Sequence, residues 1–412
     1  MMINEAKDKI QSNALKLSLK HRFLCLEWCT GTGKSFASMK IVKEILSLNP
    51  NATGYLVCKE STHRKNWIDD AKKHKMSKVL NSTKTILYAS LKNQKKEADF
   101  IIFDECHALT PLRVSHLRNI LNKGTRIIFL SATINDAKKQ LINSLCKKVH
   151  YYKIDLMKAI KLGLVPRPEL IVHKMYLKKE IEGKIWDFTH RKPKKGTNIT
   201  KYCLHKDLFK VINTYPKSVG IVCQGSEQEY YDAISNQMAY YKGLSEDLSI
   251  PYPVRNGCRN KWLNLASQRK KFISEVKTEL LKDLVKEFRL DDSRFICFTG
   301  SIKQSKILGA ENAVHSKNSN EYNQELIDCF NRMECKELFA VKMLREGVNL
   351  TQIERGIITQ LDSGIGSFFQ MLGRCLRHEY PEMHLIVLQE TQDVVYFNKS
   401  MKNFNQEFVT WR

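Results

Sequence analysis

The chain has 412 residues, 42% of them hydrophobic, enough for two ordinary domains with a buried core each. Its 68 Lys and Arg against 43 Asp and Glu give a formal net charge of +25, which attracts polyanions and suits a phosphate backbone. No apolar stretch approaches the roughly 18 residues of a membrane span, the N-terminus MMINEAKDKIQSNALK has no secretory apolar segment, and 12 scattered cysteines without zinc-ribbon spacing point to free thiols in a reducing cytoplasm and to no structural metal.

Residues 1–150 alternate helical stretches with brief apolar runs. Leu24–Glu27, Gly54–Cys58, Phe100–Phe103 and Arg126–Leu130 have the length and composition of strands buried on both faces of a parallel sheet. Ser35–Leu48 and Asn66–His74 read as helices between them. This alternation predicts a doubly wound α/β domain. Pro166-Arg167-Pro168 reads as an interdomain joint, and a strand follows over Leu170–Tyr176. The middle of the chain is less regular. It holds a basic loop at Arg191–Lys195, and residues 261–289 read as one long helix with Ile273, Val276, Leu280, Leu284 and Phe288 on one face. From about Arg294 a second α/β stretch begins, with strands at Phe295–Phe298, Glu337–Val341, Gly356–Thr359 and His384–Leu388.

The chemistry starts after the first strand, at Thr30-Gly31-Thr32-Gly33-Lys34-Ser35. Small residues let the backbone turn tightly enough for its N–H groups to face a phosphate, and the helix that follows adds its positive end. Lys34 would reach the β- and γ-phosphates of ATP, and the Ser35 hydroxyl would ligate Mg²⁺. The strict pattern wants a small residue where this chain has Trp28, which reads as a core side chain. Asp104-Glu105-Cys106-His107 follows the apolar run Phe100–Phe103. A carboxylate at the end of a buried strand can hold Mg²⁺, and the next can orient or deprotonate a water, so Asp104 is the metal residue and Glu105 the base.

Together, this acidic motif and the Gly31–Ser35 loop resemble those of the superfamily 2 helicases and translocases. Ser131-Ala132-Thr133 resembles the family's motif III, which couples nucleotide to nucleic acid, and His107 is expected to link it to the acidic motif. Tyr55–Ser61 with Trp67 resembles motif Ia, and the stretch around Ser90 resembles motif Ib. Phe298–Ser301 resembles motif IV, Leu344–Leu350 motif V with Asn349 where Asp is usual, and Gln370–Arg377 motif VI. The resemblance implies two tandem RecA-like domains, parallel sheets with flanking helices, at residues 1–165 and 166–412. A mixed insertion at about 178–290 belongs to the second.

It also implies roles for single residues. Gln11, Thr30, Gly31, Thr32, Gly33, Lys34, Ser35, Gly347 and Asn349 would hold ATP. Gln370, Arg374 and Arg377 would complete the catalytic set with Asp104 and Glu105, the guanidinium groups acting as arginine fingers. Lys59, Ser61, Ser90, Thr299 and Gly300 would face the nucleic-acid backbone. Asp155–Pro166 is similar to a stretch in restriction-enzyme motor subunits and phage branch-migrating helicases, which favours DNA and leaves RNA open. An ATP-controlled clamp that recruits partners through residues 178–260 is the reading from another class. Arg191–Lys195 and the helix carrying Arg269, Lys270, Lys271 and Lys277 are candidate extra backbone contacts. Trp186, Tyr230, Tyr231, Tyr240 and Tyr241 either stack on bases or pack within the insertion, packing being favoured.

Overall fold

The first sheet is built from short runs with no polar face. β1 (Phe23–Trp28), β2 (Gly54–Cys58), β3 (Thr83–Leu87), β4 (Phe100–Phe103), β5 (Arg126–Ser131) and β6 (His150–Ile154) pair in parallel, in the order β3-β2-β4-β5-β1-β6. Successive residues feed opposite faces, as the pleat requires. Leu24, Leu26, Leu56, Phe100 and Ile102 enter one buried cluster, while Cys25, Tyr55, Val57, Ile101 and Phe103 enter another. Helices cover the sheet, among them α1 (Met2–Lys20), α2 (Lys34–Leu48) and α3 (Ser61–Lys73). The order places β4, β5 and β1 side by side, so the loops leaving their carboxyl ends share one rim, the usual ligand edge of an open α/β sheet.

This computed structural model describes residues 2–186, 200–210, 220–341, 348, 350–361, 365–376, 378–402 and 404–412. β7 (Glu169–Met175) starts the second sheet. The chain then leaves it for a small mixed sheet. There β8 (Glu180–Trp186), β9 (Thr200–Leu204) and β10 (Gly220–Ser226) lie in the order β8-β10-β9, with β10 antiparallel to β8 and parallel to β9. A Ser226–Glu229 capping box opens α4 (Glu227–Glu246). It forms a hairpin with α5 (Tyr252–Val276) around Ile234, Met238 and Leu265. α6 (Thr278–Leu290) leads back to the second sheet. There β11 (Phe295–Phe298), β12 (Ala313–Val314), β13 (Glu337–Ala340), β14 (Arg355–Ile358), β15 (Glu382–Leu388) and β16 (Val409–Trp411) join β7 in the parallel order β12-β13-β11-β14-β15-β7-β16.

The architecture is thus two parallel-sheet α/β domains with a mixed insertion in the second. Two features differ from the sequence reading. The stretch 261–289 is two helices, because Lys277 both ends α5 and precedes α6. Its side chain is fully buried, donates to the carbonyls of Thr359 and Ile386, and pairs with Asp393. Lys277 is therefore no backbone contact for nucleic acid: its charge is spent inside the domain. The second concerns β3, β6, β12 and β16, which no apolar run announces, because edge or two-residue strands bury too little to show one.

Among the described residues, no helix is long and apolar enough to cross a membrane. Tyr231 is buried, and its hydroxyl accepts from the Gln392 N–H. Tyr230 packs edge-on to Phe272, and Tyr240, 48% exposed, makes ring contacts with Phe209 and Tyr241. The Trp186 side chain and the loop Arg191–Lys195 lie outside the described residues.

Candidate active site

The phosphate loop owes its shape to two glycines. Gly31 and Gly33 sit at φ 86° and 85°, in the left-handed region that favours glycine. A Cβ on Gly33 would also stand 2.8 Å from Gln11 Nε2. Thr32 is buried and donates to the Cys29 carbonyl at 2.8 Å, bracing the turn. Gly33 gives no side-chain cap to α2, so the first turn of that helix keeps donors for an anion. Lys34 Nζ donates to the carbonyls of Trp28 at 2.9 Å and Cys29 at 3.3 Å. Trp28 is a core residue, fully buried edge-on to Tyr152.

The acidic motif lies on the same rim. Asp104 Oδ2 accepts from Trp67 Nε1 at 2.9 Å and lies 3.4 Å from His63 Nδ1. Burial alone would raise the Asp104 carboxyl, but His63, the Trp67 donor and Lys34 hold it below the ordinary value. Glu105 adopts φ 51°, uncommon for a residue with a Cβ. Its Oε2 is buried without a hydrogen-bond partner, 3.2 Å from His107 Nδ1. The Ser131 hydroxyl donates to the Thr133 carbonyl at 2.9 Å, so it accepts from His107 Nδ1 at 3.2 Å. His107 therefore stands between Glu105 and the Ser131–Thr133 turn.

The second domain closes the cleft. α7 (Ile365–Cys375) lies against the phosphate loop, and a Cβ on Gly373 would come within 2.6 Å of Thr30 Cβ. Gln370 and Arg374 of α7 line a cleft of about 1250 Å³ together with Lys34, Ser35, Asp104 and Glu105. Arg374 is buried, and its Nη1 donates to the Val348 carbonyl. The residues present fit a nucleoside triphosphate with Mg²⁺. The carboxylates of Asp104 and Glu105 and the Ser35 hydroxyl supply hard oxygen donors beside an uncapped helix end and the basic Lys34 and Arg374, and Glu105 Oε2 has no hydrogen-bond partner among the described residues.

Other expected positions divide. Gln11 is buried beside the loop, its Oε1 accepting from Lys40 Nζ at 2.9 Å. Lys59 and the start of α3 follow β2, and Ser90 lies in a short helical turn over Tyr88–Asn93 after β3, so both segments share the carboxyl rim. Thr299 is a correction: it is buried, with its hydroxyl toward the Ala340 carbonyl, so that side chain does not face nucleic acid. The adjoining Gly300 is covered by the insertion, since a Cβ there would stand 2.5 Å from Ser274 Oγ on α5. The stretch Asp155–Pro166 ends in the cleft, where Gly163, Leu164, Val165 and Pro166 line it. Gly347, Asn349 and Arg377 lie outside the described residues. His63 and Phe36 are among the residues at the site that carry no sequence motif of their own. The one legible signal for His63 is its i, i+4 spacing from Trp67 on a helix. Phe36 stacks on His74 at 4.1 Å and lines the cleft.

Comparison with known proteins follows the same division. Residues 38–141 match the DEAD/DEAH box helicase family, and residues 276–379 match the helicase conserved C-terminal domain. No curated protein sequence matches. Among solved structures, S. cerevisiae Dbp5 bound to RNA and ADP BeF3 superposes with a TM-score of 0.58 at 13% identity, over 98% of this chain and 89% of that one. Mycobacterium smegmatis helicase Lhr bound to ssDNA and AMP-PNP gives 0.54 at 12% identity, over 97% of this chain and 48% of that one. Likeness at such identity speaks for the fold.

Proposed function

We propose that this chain, which belongs to the superfamily 2 helicases, is an ATP-driven translocase or helicase acting on DNA. One observation carries the reading: Gly373 of the second domain rests on Thr30 of the phosphate loop, with Gln370 and Arg374 beside Lys34 and Glu105 in one cleft.

Each chain group then has a task. The Gly31–Ser35 backbone and the start of α2 bind the phosphates, with Lys34 turning from its carbonyl partners toward them. Asp104 and the Ser35 hydroxyl would hold Mg²⁺, which would supply positive charge against that developing on the phosphates. Glu105 orients the attacking water and takes its proton, and His107 beside it carries the state of the site to Ser131 and Thr133. Arg374 offers a planar, permanently charged fork from the opposite wall. Because the two walls belong to different domains, closure depends on what bridges them, and hydrolysis removes the bridge. Repeated closure with alternating grip on phosphates yields a step along a strand. Grip on phosphates is independent of sequence. The net charge of +25 supports a polyanionic track.

DNA is favoured by the likeness of Asp155–Pro166 to DNA motors. The test is steady-state ATP hydrolysis with single-stranded DNA, branched DNA and single-stranded RNA, alongside strand displacement. Stimulation by DNA above RNA supports the reading. Stimulation by RNA alone overturns the choice of strand, and no stimulation by any of them overturns the motor. Stimulation without displacement or movement favours a clamp.

A further inference from the structure

Two segments that carry expected nucleic-acid contacts converge on one residue, Asp104, one at its side chain and the other at its backbone carbonyl. α3 starts at Ser61, next to Lys59, and its His63 and Trp67 lie four residues apart on one helix face. Trp67 Nε1 donates to Asp104 Oδ2 at 2.9 Å, and His63 Nδ1 lies 3.4 Å from that same oxygen. The other segment is the turn that holds Ser90. Its Tyr88 hydroxyl donates to the Asp104 carbonyl at 3.0 Å, and the Arg113 guanidinium covers the Tyr88 ring at 5.2 Å. His63, Trp67 and Tyr88 are 5%, 3% and 2% exposed, so these contacts are interior links with little freedom to rearrange singly.

His63 has a second distinction. It lines the cleft with Lys34 and Glu105, and its Nε2 is buried with no hydrogen-bond partner among the described residues. A buried ring nitrogen in that state gains from any partner that enters the cleft. His63 thus approaches Asp104 with one nitrogen, keeps the other without a hydrogen-bond partner among the described residues, and itself lines the cleft.

We infer that His63, supported by Trp67 and Tyr88, is a positioning residue that couples the nucleic-acid segments to Asp104. The inference rests on the function proposed above. Phosphates gripped at the start of α3 shift that helix, and α3 carries Asp104 Oδ2 with it through His63 and Trp67. The carboxylate that would hold the metal then turns only when the strand is in place. Such coupling is reciprocal: nucleotide in the cleft must change the affinity for the strand by the factor with which the strand changes affinity for nucleotide.

The test measures that factor on the full chain. A fluorescent single-stranded oligonucleotide is titrated with protein, with and without Mg²⁺ and a non-hydrolysable ATP analogue, and the ratio of the two dissociation constants is taken. We expect a ratio of about tenfold for the unaltered protein. His63→Ala and Trp67→Phe should each bring it within about twofold of unity, while affinity without nucleotide changes by less than about twofold. Trp67→Phe keeps the buried ring and removes only the N–H donor, so it remains informative if His63→Ala fails to fold. His63→Asn, which returns a donor near the Nδ1 position, should restore at least half of the coupling. Full coupling in a folded His63→Ala or Trp67→Phe overturns the inference and leaves the proposed motor standing. Absence of oligonucleotide binding by the unaltered protein overturns the motor, and the inference falls with it.

Discussion

Gly373, in the last turn of a helix of the second domain, touches Thr30 in the phosphate loop of the first so closely that a Cβ would stand 2.6 Å from Thr30 Cβ and 3.0 Å from its Oγ1. Glycine inside a helix costs about 1 kcal/mol relative to alanine. The close approach of the two domains is the physical reason for glycine here.

Gly373→Ala therefore separates stability from function. Alanine favours the helix and the two domains can part to admit the methyl, so the variant's melting temperature should change little. Its ATP turnover should fall by about 10²-fold, the scale of an ångström misplacement at a reacting centre. Thermal melting and steady-state hydrolysis on one preparation check both halves of the statement.

Lys34→Ala and Glu105→Gln should both stop turnover for different reasons. The first removes a cation from the phosphate loop. The second removes the base and should lower the rate by about 10²–10⁴-fold while nucleotide still binds. Equilibrium binding of a fluorescent ATP analogue beside hydrolysis distinguishes them. Unchanged turnover in Glu105→Gln would mean that the base lies elsewhere.

Lys277 and Asp393 form a buried pair that fastens the insertion to the second sheet. Burial pushes the Lys277 ammonium below its ordinary value, against the pull of Asp393. Lys277→Met strands the Asp393 carboxylate and should cost about 3–5 kcal/mol in urea unfolding. Adding Asp393→Leu should recover most of that loss, because an apolar pair of similar volume replaces the ions. A double variant as unstable as the single one contradicts this account.

The contrast between Lys277 and Lys34 shows what a sequence carries. Lys34 stands in a pattern of glycines between a strand and a helix, and the chemistry of a phosphate demands that pattern. Gly54–Cys58 and Phe100–Phe103 are equally legible, since central strands are apolar throughout. Lys277 instead sits within a stretch whose apolar spacing continues on both sides, so nothing local reveals the break or its partners, 82 to 116 residues away. Thr83–Leu87 and Val409–Trp411 escape for a related reason: edge strands keep polar residues toward water. His63 reaches the site only because β2 and β4 pair, a long-range fact. Motif order identifies which residues converge; it does not give the hydrogen bonds that hold them.

His173 offers a test by pH. Its Nε2 donates to His384 Nδ1 at 2.9 Å, because His384 gives its own Nε2 proton to Glu382. Burial, the neighbouring His384 and Arg412 push His173 down to about 4 from an ordinary 6.5. The unfolded chain then takes up a proton at this residue below pH 6.5 and the folded chain does not until about 4. Stability from this residue is full above 6.5 and is lost as pH falls through that window, by at most about 1.4 kcal/mol per pH unit. His173→Gln keeps a donor and removes the titration, so its unfolding free energy should depend less on pH between 7 and 5 than the parent's, by at most about 2 kcal/mol.

The central claim is that a side chain of the second domain completes a site built by the first. Arg374 lines the cleft opposite Lys34, and its exchange tests the claim most directly. Arg374→Lys keeps the charge and loses the planar fork, and should bind an ATP analogue within about threefold of the parent while hydrolysis falls by about 10²-fold or more, the scale of a lost arginine finger. Turnover within about twofold of the parent, in both Arg374→Lys and Arg374→Ala, would contradict the account, because the second domain would then add no charge to the reacting phosphates.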